Sequence, residues 1–552
     1  MLTIKLKHSS TDWLTIENAP MGWEDIKYTI TRSDMFWATN RQVTAPLVFI
    51  EDAKTYIDDI VDTYGFETEI QCELYVFVPT TRKLELLFDG VLKLSDGDYK
   101  RTRNTTEVRV IDGSFEQIVY NRRKTKVNYN NLVTADGGLI APKPEEYEDL
   151  TLQLSQTDKT VQAVYPFWLF ERIVNVITGQ SNRFRSSLFA NGLADGYGSI
   201  GEYALKMITT GHLLRGYNTA LTTSLEDLFL SFDAIGALGM GFTTYQGQKC
   251  VQIEPKSFFF QNQVVLELTD IWDLEISLID NLLMSEIEVG YQKQNVQENA
   301  EGQTEYNTKN TYTTPLTITD RSMKIVSSLR ADGTTIEKIA TEAIDENKSN
   351  PEDKDLFVID SYLDGVLKSR KNELFGTVEG IYADYELYMN LALSPRRMIK
   401  NWDEIISIPL QKQLDKSLNI QDIETPSQLT TQLLTEAQAL NDGADIPIGE
   451  LRRPYLSPYR AVFSSIIGID EILALNENRY GLVKFPNYLK GGFGYGWIKE
   501  ISTSPVDKST NIELWLVADN LELLEDTCLW MAEDGTLALA EDSGFIPCEI
   551  NI

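Results

Sequence analysis

Residues 224–255 read SLEDLFLSFDAIGALGMGFTTYQGQKCVQIEP, a helix pattern that gives way to a hairpin pattern across one glycine-broken exit. Ser224 is placed to cap the helix with Asp227 at the third position, and Leu225, Leu228, Phe229, Phe232 and Ile235 fall on one stripe. MGFTTY and KCVQIEP then read as two short strands joined by Gln246-Gly247-Gln248. The unit is a helix followed by a hairpin.

Upstream, residues 1 to about 165 read as β structure. In EIQCELYVFV (69–78), Ile70, Cys72, Leu74, Val76 and Val78 alternate with mostly polar neighbours, which turns one face inward. Asp-Gly pairs at 89–90, 96–97, 112–113 and 136–137 follow or separate such runs and favour tight hairpins. From 166 the period lengthens to about 3.6. Phe167, Phe170, Ile173, Val174 and Ile177 share one helix face, while Glu171, Arg172 and Asn175 take the other.

Downstream, strands are expected from 265 to 292, then an exposed stretch, NVQENAEGQTEYNTKN. A capping box from Thr334 to Glu337 opens a helix with Ile336, Ile339, Ala340, Ala343 and Ile344 on its apolar stripe. LFVIDSYL resumes a strand, Thr425-Pro426-Ser427-Gln428 begins another helix that Asn441-Asp442-Gly443 closes, and the last third returns to β. The chain ends on an eight-residue rhythm in which Glu525-Asp526, Glu533-Asp534 and Glu541-Asp542 alternate with CLWMA, TLALA and GFIPC. Eight residues make a short strand and a turn, so a small meander with solvated acidic turns is expected.

The fold class is therefore mainly β with inserted helices (α+β), in several domains with barrel-like β units. Four segments are expected: an N-terminal β-barrel or sandwich over 1–165, a helix-plus-hairpin domain leading into strands over 166–300, a second β-rich domain with one helix over 301–425, and a C-terminal helix and β region with the acidic-turn repeat over 426–552.

Composition narrows the function. The 82 acidic against 50 basic residues give a formal charge of −32, which repels nucleic-acid phosphates and anionic lipid yet suits a wall past which DNA slides without sticking. The four cysteines, Cys72, Cys250, Cys528 and Cys548, form no CxxC pair and read as small apolar residues; a bridge between Cys528 and Cys548 is the one pairing to check. MLTIKLKHSS alternates like a strand without the apolar core of a signal peptide, and no stretch is long enough to span a membrane, so a soluble protein made in a cytoplasm is expected.

Chemistry-bearing motifs are sparse. His8 and His212 are the only histidines, which leaves no HExxH or His-rich zinc site. Gly196-Tyr197-Gly198-Ser199-Ile200-Gly201 approaches a nucleophile elbow, but Tyr197 stands where that turn needs glycine. Gly491-Gly492-Phe493-Gly494-Tyr495-Gly496-Trp497 runs into a strand, not a helix, so it fits a tight strand or a sugar-stacking surface better than a phosphate loop. Arg396-Arg397 and Arg452-Arg453 each neighbour a Ser-Pro pair, Ser394-Pro395 and Ser457-Pro458, and read as salt-bridged turns or intersubunit contacts. No catalytic, cofactor-binding or metal-ligating residue is assigned, and no cofactor is expected.

The closing repeat and the segment YMNLALSPRRMIKNW (388–402) resemble structural tail proteins of bacteriophages, of the type found in phages of Bacteroidota. The order of elements is similar to a tail hub or baseplate protein: a β-barrel, then a helix packed on a hairpin at 224–255, then a second barrel-like region beginning near SEIEVGY (285–291). The resemblance implies a non-enzymatic virion protein of the tail, a homo-oligomer forming a cyclic trimer, hexamer or dodecamer with other tail proteins around it, assembled in the host bacterial cytoplasm. It also implies a ring that organises the tail tip and lines part of an acidic channel for viral genome ejection, with transient passage of DNA and no membrane insertion by this chain. Two alternatives stand beside it: a receptor- or carbohydrate-binding tail-tip protein using Tyr495, Trp497, Trp515 and Trp530, and a glycan-degrading tail enzyme using two of the many carboxylates.

Overall fold

The computed structural model describes residues 2–518 apart from 17–18, 24–25, 45, 67, 95–98, 112–114, 131–132, 136–137, 141–146, 155–156, 193–198, 218, 293–307, 343–349, 371–377, 380–389, 424–429, 432–438 and 505–508, and beyond 518 it describes residues 530–531 and 537–538. It is mainly β, with several sheets, a small closed barrel and inserted helices.

The first sheet is built by the N-terminal segment in the order Leu14–Thr15, Leu2–His8, Ile70–Val78, Lys83–Lys93, Thr106–Ile111 and Pro46–Phe49, with Tyr99–Arg101 added to Thr106–Ile111. Ile70, Cys72, Leu74, Val76 and Val78 all point inward, as their alternation requires. Asp89-Gly90 lies inside the strand Lys83–Lys93, paired with Glu73 and Cys72, and makes no turn. Cross-strand pairing along the whole ribbon overrides the local turn preference. The strands either side of 136–137 do pair, Ala135 with Gly138, while the dipeptides at 96–97, 112–113 and 136–137 lie outside the described residues.

A second sheet is shared by distant parts of the chain. Its order is Val264–Glu267, Leu482–Pro486, Phe493–Thr503, Ser509–Val517, Leu456–Ile466 and Ile271–Leu278, and the hairpin Lys27–Arg32/Thr39–Thr44 joins it by pairing with Phe493–Thr503. Ile4, Leu74, Phe88 and Val108 of the first sheet meet Phe463, Ile498, Ile512 and Leu514 of the second in one core. Both ends of the described chain thus bury their apolar faces against each other.

Among the described residues of 1–165 two α-helices form, Glu51–Tyr64 and Phe115–Arg122. The first shows its reason in the sequence, since Ala53, Ile57, Ile60 and Val61 are the buried stripe of a 3.6-residue period. The helix expected at 166 forms as Pro166–Thr178, but Arg172 and Asn175 are buried with the apolar face. The helix Phe115–Arg122 and the strand Phe184–Arg185 pack on it, so more than one side is covered. The helix Gly333–Thr341 also forms, starting from Asp332, with Ile336, Ile339 and Ala340 buried. Thr334 therefore lies inside the helix and is not its cap.

The small barrel closes through Tyr147–Leu152, Lys159–Val164, Lys206–Thr210, Leu356–Asp364 and Val366–Ser369, with Leu150 opposite Leu367 at the seam. Leu152, Val161, Met207 and Ile359 fill it, and Ile336 and Ile339 of the neighbouring helix join the same core. A five-stranded sheet follows, ordered Ser322–Ser327, Glu286–Tyr291, Lys309–Thr313, Ser417–Ile423 and Ile446–Pro447.

The helix expected from 425 to 441 does not form where the chain is described: Thr430–Thr431 is a strand paired with Val378–Glu379 and Leu440–Asn441. β-Branched threonines meet partners on both sides there, which outweighs the Pro-at-start signal. A helix also interrupts the last third, Ile469–Glu477. Trp530–Met531 and Leu537–Ala538 pair antiparallel, while the GFIPC segment and both Cys528 and Cys548 lie outside the described residues.

Candidate functional site

The stretch 224–255 folds as its sequence indicates, into the helix Leu225–Gly236 and the hairpin Leu238–Tyr245/Gln248–Pro255. Ser224 Oγ accepts from the Asp227 amide at 3.1 Å, and Ala237, in the left-handed region at φ 53°, ends the helix. Gly239 and Gly241 lie beneath the Phe259 ring, where an added Cβ would fall 2.5 and 2.7 Å from ring atoms. Glycine is required on this face because an aromatic ring occupies the side-chain space.

Three other parts of the chain converge on this unit. The turn after Lys27–Arg32 reaches it through the Met240 amide, which donates to Phe36 O at 2.8 Å. Arg32, fully buried, donates to the carbonyls of Ile498 (2.8 Å), Trp37 (2.7 Å) and Phe259 (2.8 Å), so one guanidinium ties the shared sheet to the end of the hairpin. Burial pulls its pKa down to about 10, still charged at neutral pH, and the Phe260 ring lies 4.4 Å from it.

The SPRR segment supplies the second arrival. It forms the helix Pro395–Ile406, with proline in its first turn and Met398, Ile399, Trp402, Ile405 and Ile406 buried. Trp402 Nε1 donates to the carbonyls of Asp233 and Ala234, each at 3.0 Å, and Asn401 Nδ2 donates to Ile235 O at 2.8 Å. These carbonyls lie in the last turn of the helix Leu225–Gly236; that of Asp233 also accepts from the Ala237 amide at 2.8 Å, and those of Ala234 and Ile235 are among the ones a helix end leaves open. Ser394 Oγ donates to Asp442 Oδ1 at 2.7 Å.

Beneath Trp402 lies a buried ion pair, Lys256 with Asp233, the ammonium 3.5 Å from the Trp402 ring centroid. The Leu238 amide donates to Asp233 Oδ1 at 2.9 Å. Burial pushes Asp233 up from its ordinary value despite Lys256, and burial draws Lys256 down to about 8. Desolvation outweighs attraction at both partners.

The third arrival is Arg452. Its Nε is 2.7 Å from Asp403 and its Nη1 3.2 Å from Glu404, both on the SPRR helix. Arg396 and Arg452, which the sequence set in two separate Ser-Pro contexts, line one cavity of about 640 Å³ with Tyr203, Lys256, Asp403 and Tyr455. The salt-bridged reading of Arg452 agrees with this geometry, and the chain's own helix is its partner.

The other sequence candidates stand elsewhere. Trp497 is fully buried and Trp515 nearly so, both packed against Phe260, so neither offers a face to a sugar. Gly491 and Gly492, at φ 81° and 76°, form the turn before the strand Phe493–Thr503, and an added Cβ at Gly494 would meet the Phe485 ring at 2.5 Å. His8 holds the hydroxyls of Ser10 and Thr68 at 2.6 and 2.8 Å, and His212 faces Asp353 at 3.8 Å. Of the elbow-like loop, Gly196-Tyr197-Gly198 lies outside the described residues. Among the described residues no group of three or more His, Cys, Asp and Glu is arranged to hold a metal, and no helix is long and apolar enough to cross a membrane. Sequence reasoning missed Arg32, Asp233 and Lys256; the helix pattern placed Asp233 one turn from a glycine exit, which was the available signal.

No family model matches the sequence, and no curated protein matches it. Among solved structures the chain is similar to prophage tail protein gp18 from Listeria monocytogenes EGD-e, at 9% identity and TM-score 0.34, covering 95% of this chain and 96% of that one. It is similar to the prophage MuSo2 43 kDa tail protein from Shewanella oneidensis, at 9% identity and TM-score 0.35 over 93% and 98% of the two chains. It is likewise similar to a tail protein from Neisseria meningitidis MC58, at 9% identity and TM-score 0.35 over 94% and 97%. These likenesses extend over nearly the whole of each chain without close superposition.

Proposed function

We propose that this chain is a structural component of a bacteriophage tail, a hub or baseplate ring at the end of the tail tube that organises the tail tip and forms part of an acidic channel for DNA ejection. The observation that carries the reading is the junction itself. The helix and hairpin at 224–255, which enter the likeness by element order, and the helix Pro395–Ile406 from the 388–402 segment meet there through Trp402 and Asn401 on the carbonyls of one helix end. A β-rich chain held together at a hydrogen-bonded junction fits a structural role, and its charge of −32 disfavours adhesion of passing DNA.

In this reading the protein belongs to the virion, works as a cyclic homo-oligomer with other tail proteins, and has no catalytic role. The burial of Trp497 and Trp515 counts against the sugar-binding alternative on those residues. Quantitative mass spectrometry of purified particles tests the proposal. A few copies per particle, in fixed ratio to the tail-tube protein, are expected; no detectable chain in intact particles overturns it.

A further inference from the structure

The base of the hairpin holds both halves of the buried ion pair on one backbone frame. Leu238 pairs with Pro255 on the first rung, the Lys256 amide donates to Ala237 O at 3.0 Å, and the Leu238 amide donates to Asp233 Oδ1 at 2.9 Å. The Lys256 ammonium reaches that same carboxylate oxygen. Lys256 is 2% exposed and Asp233 8%, and the centroids of the Trp402 and Trp37 rings stand 3.5 and 5.4 Å from the lysine nitrogen. An amine and a carboxyl group are thereby kept in contact and away from bulk water, on backbone that separates them only if the hairpin opens.

Two other buried aspartates contact lysines, and each has a second cation beside it. Asp58 binds Arg101 as well as Lys54, and Asp360 has Arg370 at 3.7 Å as well as Lys206 at 2.6 Å. A carboxylate between two cations is held ionised, and an ionised carboxylate is a poor acyl donor. Lys256 is the one cation paired with Asp233 among the described residues. Burial there acts on both partners in the direction of the uncharged amine and the uncharged acid, the two forms that condense.

We infer that Lys256 and Asp233 join in the folded chain through an amide bond between the lysine Nζ and the aspartate Cγ. Transfer of one proton within the pair turns ammonium and carboxylate into amine and acid. The amine lone pair attacks Cγ, the C–O bond to the hydroxyl breaks, and the hydroxyl leaves as water with a proton from the nitrogen. Nothing is oxidised or reduced, and no co-reactant is needed. Lys256 lines the cavity of about 640 Å³ at the junction, which gives the water an exit. Fixed contact replaces concentration, since well-oriented groups reach effective molarities on the order of 10⁵ M or more. The bond closes residues 233–256 into a loop that ties the helix exit to the base of the hairpin. The ion pair is the reactant state, and the inference holds for one chain whether or not the tail assignment is right.

The test uses the full chain, folded and incubated at neutral pH, followed by intact mass and by peptide mapping. The expected product is one water lighter than the encoded chain, and its digest holds a branched peptide in which Lys256 is linked to Asp233. That peptide is expected to form at least about tenfold faster in native buffer than in the same chain kept unfolded in urea, where the positioning is lost. Lys256→Met is expected to abolish it, while Lys54 and Lys206 stay unlinked to Asp58 and Asp360. A succinimide at an Asp-Gly pair loses the same mass, but it persists in Lys256→Met and yields no branched peptide. Only unmodified Lys256 after long incubation of chain shown to be folded by circular dichroism overturns the inference. So does a branched peptide that forms as fast in urea.

Discussion

Two buried ion pairs in this molecule have the same formal charges and opposite behaviour. At Lys256 and Asp233 the carboxylate has one ammonium and one backbone amide to bind, and burial pushes its pKa up. At Arg215 and Asp353 burial pushes upward as well, but the Asn350 amide at 2.9 Å and then the Arg215 guanidinium, 3.0 and 2.9 Å from the two carboxylate oxygens, hold Asp353 below its ordinary value. Each carboxylate has one backbone amide and one cation; Arg215 Nη1 reaches both oxygens of Asp353, whereas desolvation dominates at Asp233. The first pair sits at the junction, roofed by Trp402; the second pins the helix Gly211–Arg215 to the turn Pro351–Lys354 beside the small barrel.

The largest effect that can break this contrast is Asp233→Ala, which strands the Lys256 ammonium in an apolar site and is expected to cost about 3–5 kcal/mol in urea unfolding. A loss under about 1 kcal/mol would mean that the lysine is already neutral or reaches water. Replacing both partners, Asp233→Leu with Lys256→Met, is expected to lie between no change and a gain of up to about 4 kcal/mol, because the desolvation cost leaves with the charges. The same double replacement at Arg215 and Asp353 is expected to destabilise, since Asp353 also closes a capping box with Asn350.

Titration sharpens the contrast next. The folded pKa of Lys256 lies near 8 against an ordinary 10.5, so between those values the unfolded chain holds the extra proton. Stability relative to Lys256→Met is therefore expected to rise as pH rises through that window. Asp353 works in the opposite range: its depressed pKa gives stability that is present above the ordinary carboxylate value and lost as pH falls through the folded one. The advantage of the native chain over Asp353→Asn is expected to shrink below about pH 4 in unfolding curves. The smallest effect is Asn350→Ala, expected to cost about 1 kcal/mol through the lost cap.

How much of this was legible follows from range. The helix and hairpin at 224–255 carry their cap, stripe and turn within thirty-odd residues, so local rules suffice. The helices Glu51–Tyr64 and Pro395–Ile406 carry the same kind of local signal, in stripes at Ala53, Ile57, Ile60, Val61 and at Met398, Ile399, Trp402, Ile405, Ile406. The pairing of Lys27–Arg32 with Phe493–Thr503 has no local signature, because nothing in either strand names a partner over 450 residues away. Arg32 follows from that: an arginine in a strand reads as exposed until the three carbonyls around it are placed by the fold. Asp89-Gly90 teaches the converse, since a strong local turn signal was overruled by a ribbon paired along its length.

The central proposal is that this chain forms part of a ring on the tail axis, and the position and copy number of the chain in an intact particle test it most directly. Electron cryo-microscopy is expected to show a closed trimer, hexamer or dodecamer around the lumen at the end of the tube, with acidic side chains facing the channel. Copies projecting off the axis at the tip, with no closed ring, would contradict the account and return the chain to the receptor-binding reading.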